Sequence, residues 1–293
     1  MFRIMPLLWY KQATMRLHFL WFCLLLVISG TEAQYYYNDV LATAQAGKRF
    51  LTLRKNQVMK ITAKSLDANN EPTEGFLLEE ELAEDGRTLI TKTATTDGRA
   101  TLTKTTFFNN KIRRNETAYP GMEVRTDYQY DEKNRLIRIN SSTTDTSLNK
   151  GAAESHIWIY DAAGLPAQML NIRNGADTTM IDIIKDSSGQ VVEERWKRKN
   201  RVIETYYYYY DDKNQLTDIV RFDQRSSKLL PDLLFDFDDK GQLATLTQRM
   251  GNGPGYLVWK YQYLPNGLKE KEFCFDKQKQ LVATINYQYK IAK

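Results

Sequence analysis

From Gln57 to the C-terminus, apolar and polar residues alternate with a period of two, broken every eight to twelve residues by turn residues. That pattern predicts antiparallel strands joined by short turns. One phrase recurs: a strand ends in an aromatic residue, Asp opens a turn, and a second strand starts at an aliphatic residue. It runs from Tyr128 through Asp131 to Leu136, from Trp158 through Asp161 to Leu165, from Ile183 through Asp186 to Val191, from Tyr206 through Asp211 to Leu216, and from Phe235 through Asp238 to Leu243. Variants occur at Tyr261–Leu268 and at Phe273–Leu281. The fourth turn residue is Asn134, Gly164, Gly189, Asn214 or Gly241, the types that tolerate positive φ. With Asp accepting turn amides, this predicts a type I turn followed by a left-handed residue. Lys279 departs from that rule in the last copy.

A repeat of this length implies units that bury their faces only against neighbours. Counting back from each Asp, one face takes Tyr128 and Tyr130, Trp158 and Tyr160, Tyr206, Tyr208 and Tyr210, Phe235 and Phe237, and Phe273 and Phe275. The other takes Gln129, Asp182, Asp236 and Gln262. Residues 57–121 read as plainer, Thr-rich hairpins, giving 17 or 18 strands in all. Strand twist over so many strands predicts a curled open or spiralling sheet, all-β. A transmembrane barrel fits poorly, because segments such as Gln190–Arg198 and Arg87–Thr95 carry too many charges and threonines for a lipid-facing band. The longest polar insertions, Asn140–Ser155, Gln224–Lys228 and Gly251–Gly255, fall on the edge opposite the Asp turns.

Ahead of the strands, Asn38 and Gly47 bracket a short predicted helix within a lead-in of residues 34–56. Before it, Arg16, the apolar run Leu17–Ile28 and the small residues Ser29–Ala33 have the layout of a cleaved secretory signal peptide, with either Met1 or Met15 as the start. Cys23 lacks the small residues of a lipoprotein box. Cleavage after Ala33 removes Arg3, Lys11, Arg16 and Glu32, so the net charge falls from +5 to +3. That is too mild for nucleic-acid binding. The mature chain is read as one domain, 34–293, without a transmembrane span and with a single cysteine, Cys274.

The mature chain holds one histidine, His156, read as a strand residue, and Glu79-Glu80-Glu81 reads as solvated charge. Asp236, Asp238 and Asp239 could suggest calcium, but turn geometry accounts for Asp238 and the EF-hand order is absent. No phosphate loop, nucleophile elbow or zinc motif is present, so no catalytic residue, metal or cofactor is assigned. The concentrated ligand-friendly chemistry is Tyr206, Tyr207, Tyr208, Tyr209 and Tyr210, a candidate stacking surface.

The phrase Tyr-Asp-x-x-Gly-x-Leu, carried by Tyr160–Leu165 and in variant form at Tyr130, Tyr210 and Phe237, resembles the YD repeat of RHS-type bacterial proteins over about residues 122 to 289. It is similar also to repeats in secreted bacterial proteins of unknown function. The resemblance implies a spiralling β-sheet, which in some members forms a shell around a toxin. The chain is short for such a shell. The reading is an exported repeat protein of the Gram-negative envelope (periplasmic, outer-membrane-associated or extracellular) that is not an enzyme and binds an envelope protein or glycan. A scaffold or shield is the second reading, and a hydrolase with an unrecognised carboxylate pair the third.

Overall fold

The computed structural model describes residues 34–94, 99–145, 150–223, 227–250 and 255–292. The predicted signal peptide, its cleavage site, and most of the insertions at 224–228 and 251–255 lie outside them. The described strands are β1 (Val58–Asp67), β2 (Leu77–Leu82), β3 (Thr88–Ala94), β4 (Ala100–Phe108), β5 (Lys111–Tyr119), β6 (Met122–Tyr130), β7 (Leu136–Asp145), β8 (Lys150–Tyr160) and β9 (Pro166–Arg173), followed by β10 (Asp177–Lys185), β11 (Val191–Arg198), β12 (Arg201–Tyr210), β13 (Leu216–Asp223), β14 (Lys228–Phe237), β15 (Leu243–Arg249), β16 (Tyr256–Tyr263), β17 (Lys269–Phe275) and β18 (Leu281–Ile291). Each pairs antiparallel with its sequence neighbours. The meander does not stay open: β1 pairs with both β2 and β18, from Val58↔Ile291 to Asp67↔Ala283, so the eighteen described strands close into a barrel. Closure corrects the expected open or spiralling sheet. It leaves no unpaired edge, and it joins strands more than two hundred residues apart, which alternation alone cannot reveal.

Barrels of this strand number commonly leave an aqueous channel. Here part of the lumen is filled. Tyr128, Trp158, Tyr206, Tyr208 and Phe235 are buried inward, and a helix packs inside the wall with one face, Ala44, Gln45, Lys48 and Arg49, left exposed. Its first part is π-helical, Tyr36–Leu41, and runs without a break into α1, Ala42–Lys55. Asn38 therefore lies within the helix and does not cap it, and Gly47 does not stop it. Gly47 is the point where the helix passes the β4–β5 turn: a Cβ there would come within 2.2 Å of the Asn110 carbonyl oxygen. Below it Phe50 stacks on Phe107, centroids 3.9 Å apart and rings 5° from parallel. The space left between helix and wall near Phe50, Leu53 and Leu89 is a cavity of about 10 Å³, room for about one water. The helix ends where Gln57 turns left-handed at φ 54°, with Arg54 and Lys55 in its last turn, where cations complement the dipole.

Outward positions are largely polar on one side of the barrel. A paired row Lys60–Glu81–Ile90–Lys104–Glu116–Arg125–Ser142 crosses β1 to β7. Among the described residues no helix is long and apolar enough to cross a membrane.

Candidate functional site

The predicted Asp turns form one rim. Asn134, Gly164, Gly189, Asn214 and Gly241 all have positive φ, and Lys279 adopts the same conformation at φ 60° despite its side chain. Asp131, Asp161, Asp186, Asp211 and Asp238 each accept the amide four residues on, at 2.7–3.0 Å. Hydrogen bonds to backbone amides Arg135, Leu165 and Gln190 help hold the Asp131, Asp161 and Asp186 carboxyls below the usual range; for Asp161 the Lys185 ammonium is the larger cause, for Asp186 the Ser188 hydroxyl.

The turns also interlock. The residue after each left-handed position reaches the left-handed residue of the next turn: Arg135 to Gly164, Leu165 to Gly189, Gln215 to Gly241 and Gln242 to Gly267, with Gln190 donating to Asn214 at 3.4 Å. Just inside the rim, the Tyr160, Tyr210, Tyr263 and Tyr289 hydroxyls donate to the carbonyls of Leu136, Val191, Leu243 and Lys269, each the first residue of the strand before. These two devices explain the repeat: they join adjacent units.

The last copy breaks the pattern. Its turn at Asp276 lies on the far rim, because β17 runs from the turn rim to the far rim. Cys274 and Glu272 therefore face inward, both buried, while Phe273 pairs with outward Lys260 and Phe275 with Val258. The expected inward placement of Phe273 and Phe275 is thus corrected. Burial pushes the Cys274 thiol up to about 12. The region 140–155, expected as a polar insertion, is instead mainly the far halves of β7 and β8, paired through Asp145↔Lys150.

The five tyrosines divide by parity. Tyr206 and Tyr208 are 0% and 2% exposed and lie in the lumen, so they are core and not an accessible platform. Tyr207 faces out opposite Val220, Tyr209 is 45% exposed, and Tyr210 is half-buried at the rim.

Sequence reasoning missed a lumenal polar network on the helix. Asp39 Oδ2 is 2.8 Å from His156 Nδ1 and accepts from Trp158 Nε1 at 3.0 Å. His156 Nε2 is 3.1 Å from Glu154, which also accepts from Asn171 at 2.6 Å; Asn171 in turn bonds the Tyr35 hydroxyl. Burial alone would lower His156, but the two carboxylates raise it to about 10, and the His156 contact holds Glu154 down at about 2. Glu194, fully buried, accepts from the backbone N–H groups of Tyr35 and Tyr36, both at 3.0 Å, from Trp196 Nε1 at 2.5 Å and from the Tyr208 hydroxyl at 2.7 Å. A carboxylate at a helix start is the favourable sign there. Glu80, read as solvated, is buried and pairs with Arg49 of α1. The signal for this network was the parity of Glu80, Glu154, His156 and Glu194, each on the aromatic face, but its partners come from the helix.

Most of these groups bond one another, while the Asn171 Oδ1 atom is buried without a hydrogen-bond partner. Among the described residues no group of three or more His, Cys, Asp or Glu could hold a metal ion.

No known family model matches the chain, and no curated protein matches its sequence. Among solved structures, similar ones include a porin-like protein from Bacteroides uniformis, 9% identical over 80% of this chain and 98% of that one, TM-score 0.33. The TcdB2-TccC3-TEV structure is 15% identical over 70% of this chain and 14% of that one, TM-score 0.28. The TcdB2-TccC3-Cdc42 structure is 11% identical over 74% and 16%, TM-score 0.23. At these scores the likeness carries neither a fold nor a function to this chain. The class defined by its own coordinates is a closed antiparallel β-barrel plugged by its N-terminal helix.

Proposed function

We propose that this is an exported protein of the cell envelope that works by binding an envelope protein or glycan through its outer wall, not by catalysis. The observation that carries the reading is a set of exposed large apolar and aromatic side chains on the outer wall of β12–β14. Tyr209, Val202, Phe222 and Leu229 are 45%, 44%, 37% and 49% exposed, and Phe222 pairs directly with Leu229. With a helix in the lumen, the outer wall is the surface open to large partners, and exposed large side chains there, such as the paired Phe222 and Leu229, are the kind that partners cover. A scaffold role is the second reading, favoured by a closed sheet with no strand edge to extend.

The YD-like phrase remains a resemblance in the strand–turn–strand unit. The test is binding of the purified chain to envelope glycans and cross-linking to envelope proteins, with Tyr209→Ser combined with Phe222→Ser. Binding should fall at least tenfold while the melting temperature holds. Unchanged binding, or turnover of a substrate abolished by an Asp or Glu substitution, would overturn the reading.

A further inference from the structure

The helix begins inside the barrel, and so does the residue before it. Gln34 is 6% exposed. Its carbonyl accepts from the Asn38 N–H at 2.9 Å, and its carboxamide Nε2 donates to Asp232 Oδ2 at 3.3 Å. Asp232 lies 3.4 Å from Arg221 and 3.6 Å from Arg249. Burial pushes the Asp232 carboxyl up in spite of both guanidiniums, so this is a place where charge is poorly solvated. The neighbouring carboxylate, Glu194, is already filled by four donors.

If export cuts after Ala33, the Gln34 nitrogen becomes an α-amine here. As an ammonium it would meet two opposing effects, loss of hydration and the positive end of a twenty-residue helix, set against the Asp232 carboxylate, whose charge Arg221 and Arg249 already face. An N-terminal glutamine can remove that charge within itself. The α-amino nitrogen attacks its own Cδ, an N–Cδ bond forms, the Cδ–Nε2 bond breaks, and Nε2 leaves as ammonia. The product is a neutral five-membered lactam that gives up the Nε2 contact to Asp232 and keeps one N–H donor, the group left to face that carboxylate, and one carbonyl acceptor.

We propose that Gln34 is a modification site: the mature chain starts with a pyroglutamyl residue, and the pocket of Asp232, Arg221 and Arg249 holds this uncharged N-terminus. The proposal rests on the export reading above. The experiment is mass spectrometry of the N-terminal peptide of the protein taken from the envelope fraction without heating. The expected peptide starts at residue 34 and is lighter than the glutamine form by one ammonia. A peptide starting at an unmodified Gln34 would overturn the proposal and leave export intact, whereas one starting at Met1 or Met15 would overturn both.

Gln34→Ser, cut at the same place but unable to cyclise, should melt lower than the native chain near neutral pH. That gap should narrow above about pH 8, where an α-amine is normally uncharged. A gap that is the same at both pH values would mean that charge is not what the pocket rejects, and would also overturn the proposal.

Discussion

Asp39, on the first turn of the plug, sits 2.8 Å from His156 of β8, 117 residues away. The contact ties the helix to the wall through charge, as Glu80–Arg49 and Glu194 also do. His156 is raised from 6.5 to about 10 and Glu154 is lowered from 4.5 to about 2. The raised histidine contributes stability that is fully present below its unfolded value and is lost as pH rises through 10. The lowered glutamate contributes stability that is present above 4.5 and lost as pH falls through 2.

The first prediction is therefore a pH-dependent one. His156→Gln should destabilise the protein by on the order of 3 kcal/mol, since it leaves the buried Asp39 carboxylate without its cation. The difference from the native chain in chemical denaturation should be full near pH 5 to 6 and shrink towards pH 10. A difference that grew with pH would reverse the assignment.

Gly47 gives a second prediction, opposite to helix propensity. In an exposed helix, Gly→Ala stabilises by about 1 kcal/mol. Here the new Cβ would stand 2.2 Å from a backbone oxygen of Asn110, which cannot move aside as a side chain would. Gly47→Ala should lower stability by about 1 to 3 kcal/mol, as overpacking does, while Gln45→Ala should be near neutral. Thermal melts of the two variants decide it.

The strands, the turns and the parity of the aromatic face from Tyr128 to Phe237 were legible in the sequence, because period two and the Asp-to-Gly spacing are local signals. Closure was not, because β18 meets β1 only through tertiary geometry. The lumenal network was hidden for a related reason. Glu80 and Glu194 have the parity of core residues but the chemistry of surface ones, and Arg49 and the amides of Tyr35 and Tyr36 that satisfy them are remote in sequence. The turn at Asp276 obeyed the local phrase yet sits on the other rim, so Phe273 and Phe275 point outward. A motif sets a turn's geometry but not the direction in which its strand is travelling.

The interlocked rim gives a third prediction. Gly164 and Gly241 have φ of +80° and +73°, so Val at either is strained and should cost about 1 to 2 kcal/mol. Ala162→Val and Lys240→Val, in the same turns but without positive φ, should cost much less. Gly189→Ala carries the same φ strain, and its Cβ would stand 2.8 Å from Leu165 Cδ1, the end of a side chain that must shift to admit it. Leu165→Ala should relieve part of that loss, and a double-mutant cycle in urea would measure the coupling. Independent effects at the two positions would show that the turns do not interlock.

Glu194 gives the last prediction, about how the plug is held. It is the wall residue that bonds both N–H groups at the helix start, Tyr35 and Tyr36, and it also receives Trp196 and Tyr208. Burial raises its carboxyl despite those four donors, so the site tolerates the charge only because the donors converge on it. Glu194→Ala removes the acceptor and leaves four buried donors, each costing on the order of 1 to 3 kcal/mol if it finds no new partner. Glu194→Gln keeps acceptor capacity for some of them but places an NH₂ group among donors, so its loss should be intermediate. The damage should begin at the helix: brief proteolysis of Glu194→Ala should cut within residues 34–55 before the strands are lost, as expected for local opening below the global unfolding energy. Tyr36 also meets Tyr208, and Tyr37 meets Phe235, each with ring centroids 5.5 Å apart; simultaneous loss of helix and strands, or a native cleavage pattern in Glu194→Ala, would show that these aromatic contacts hold the plug without it.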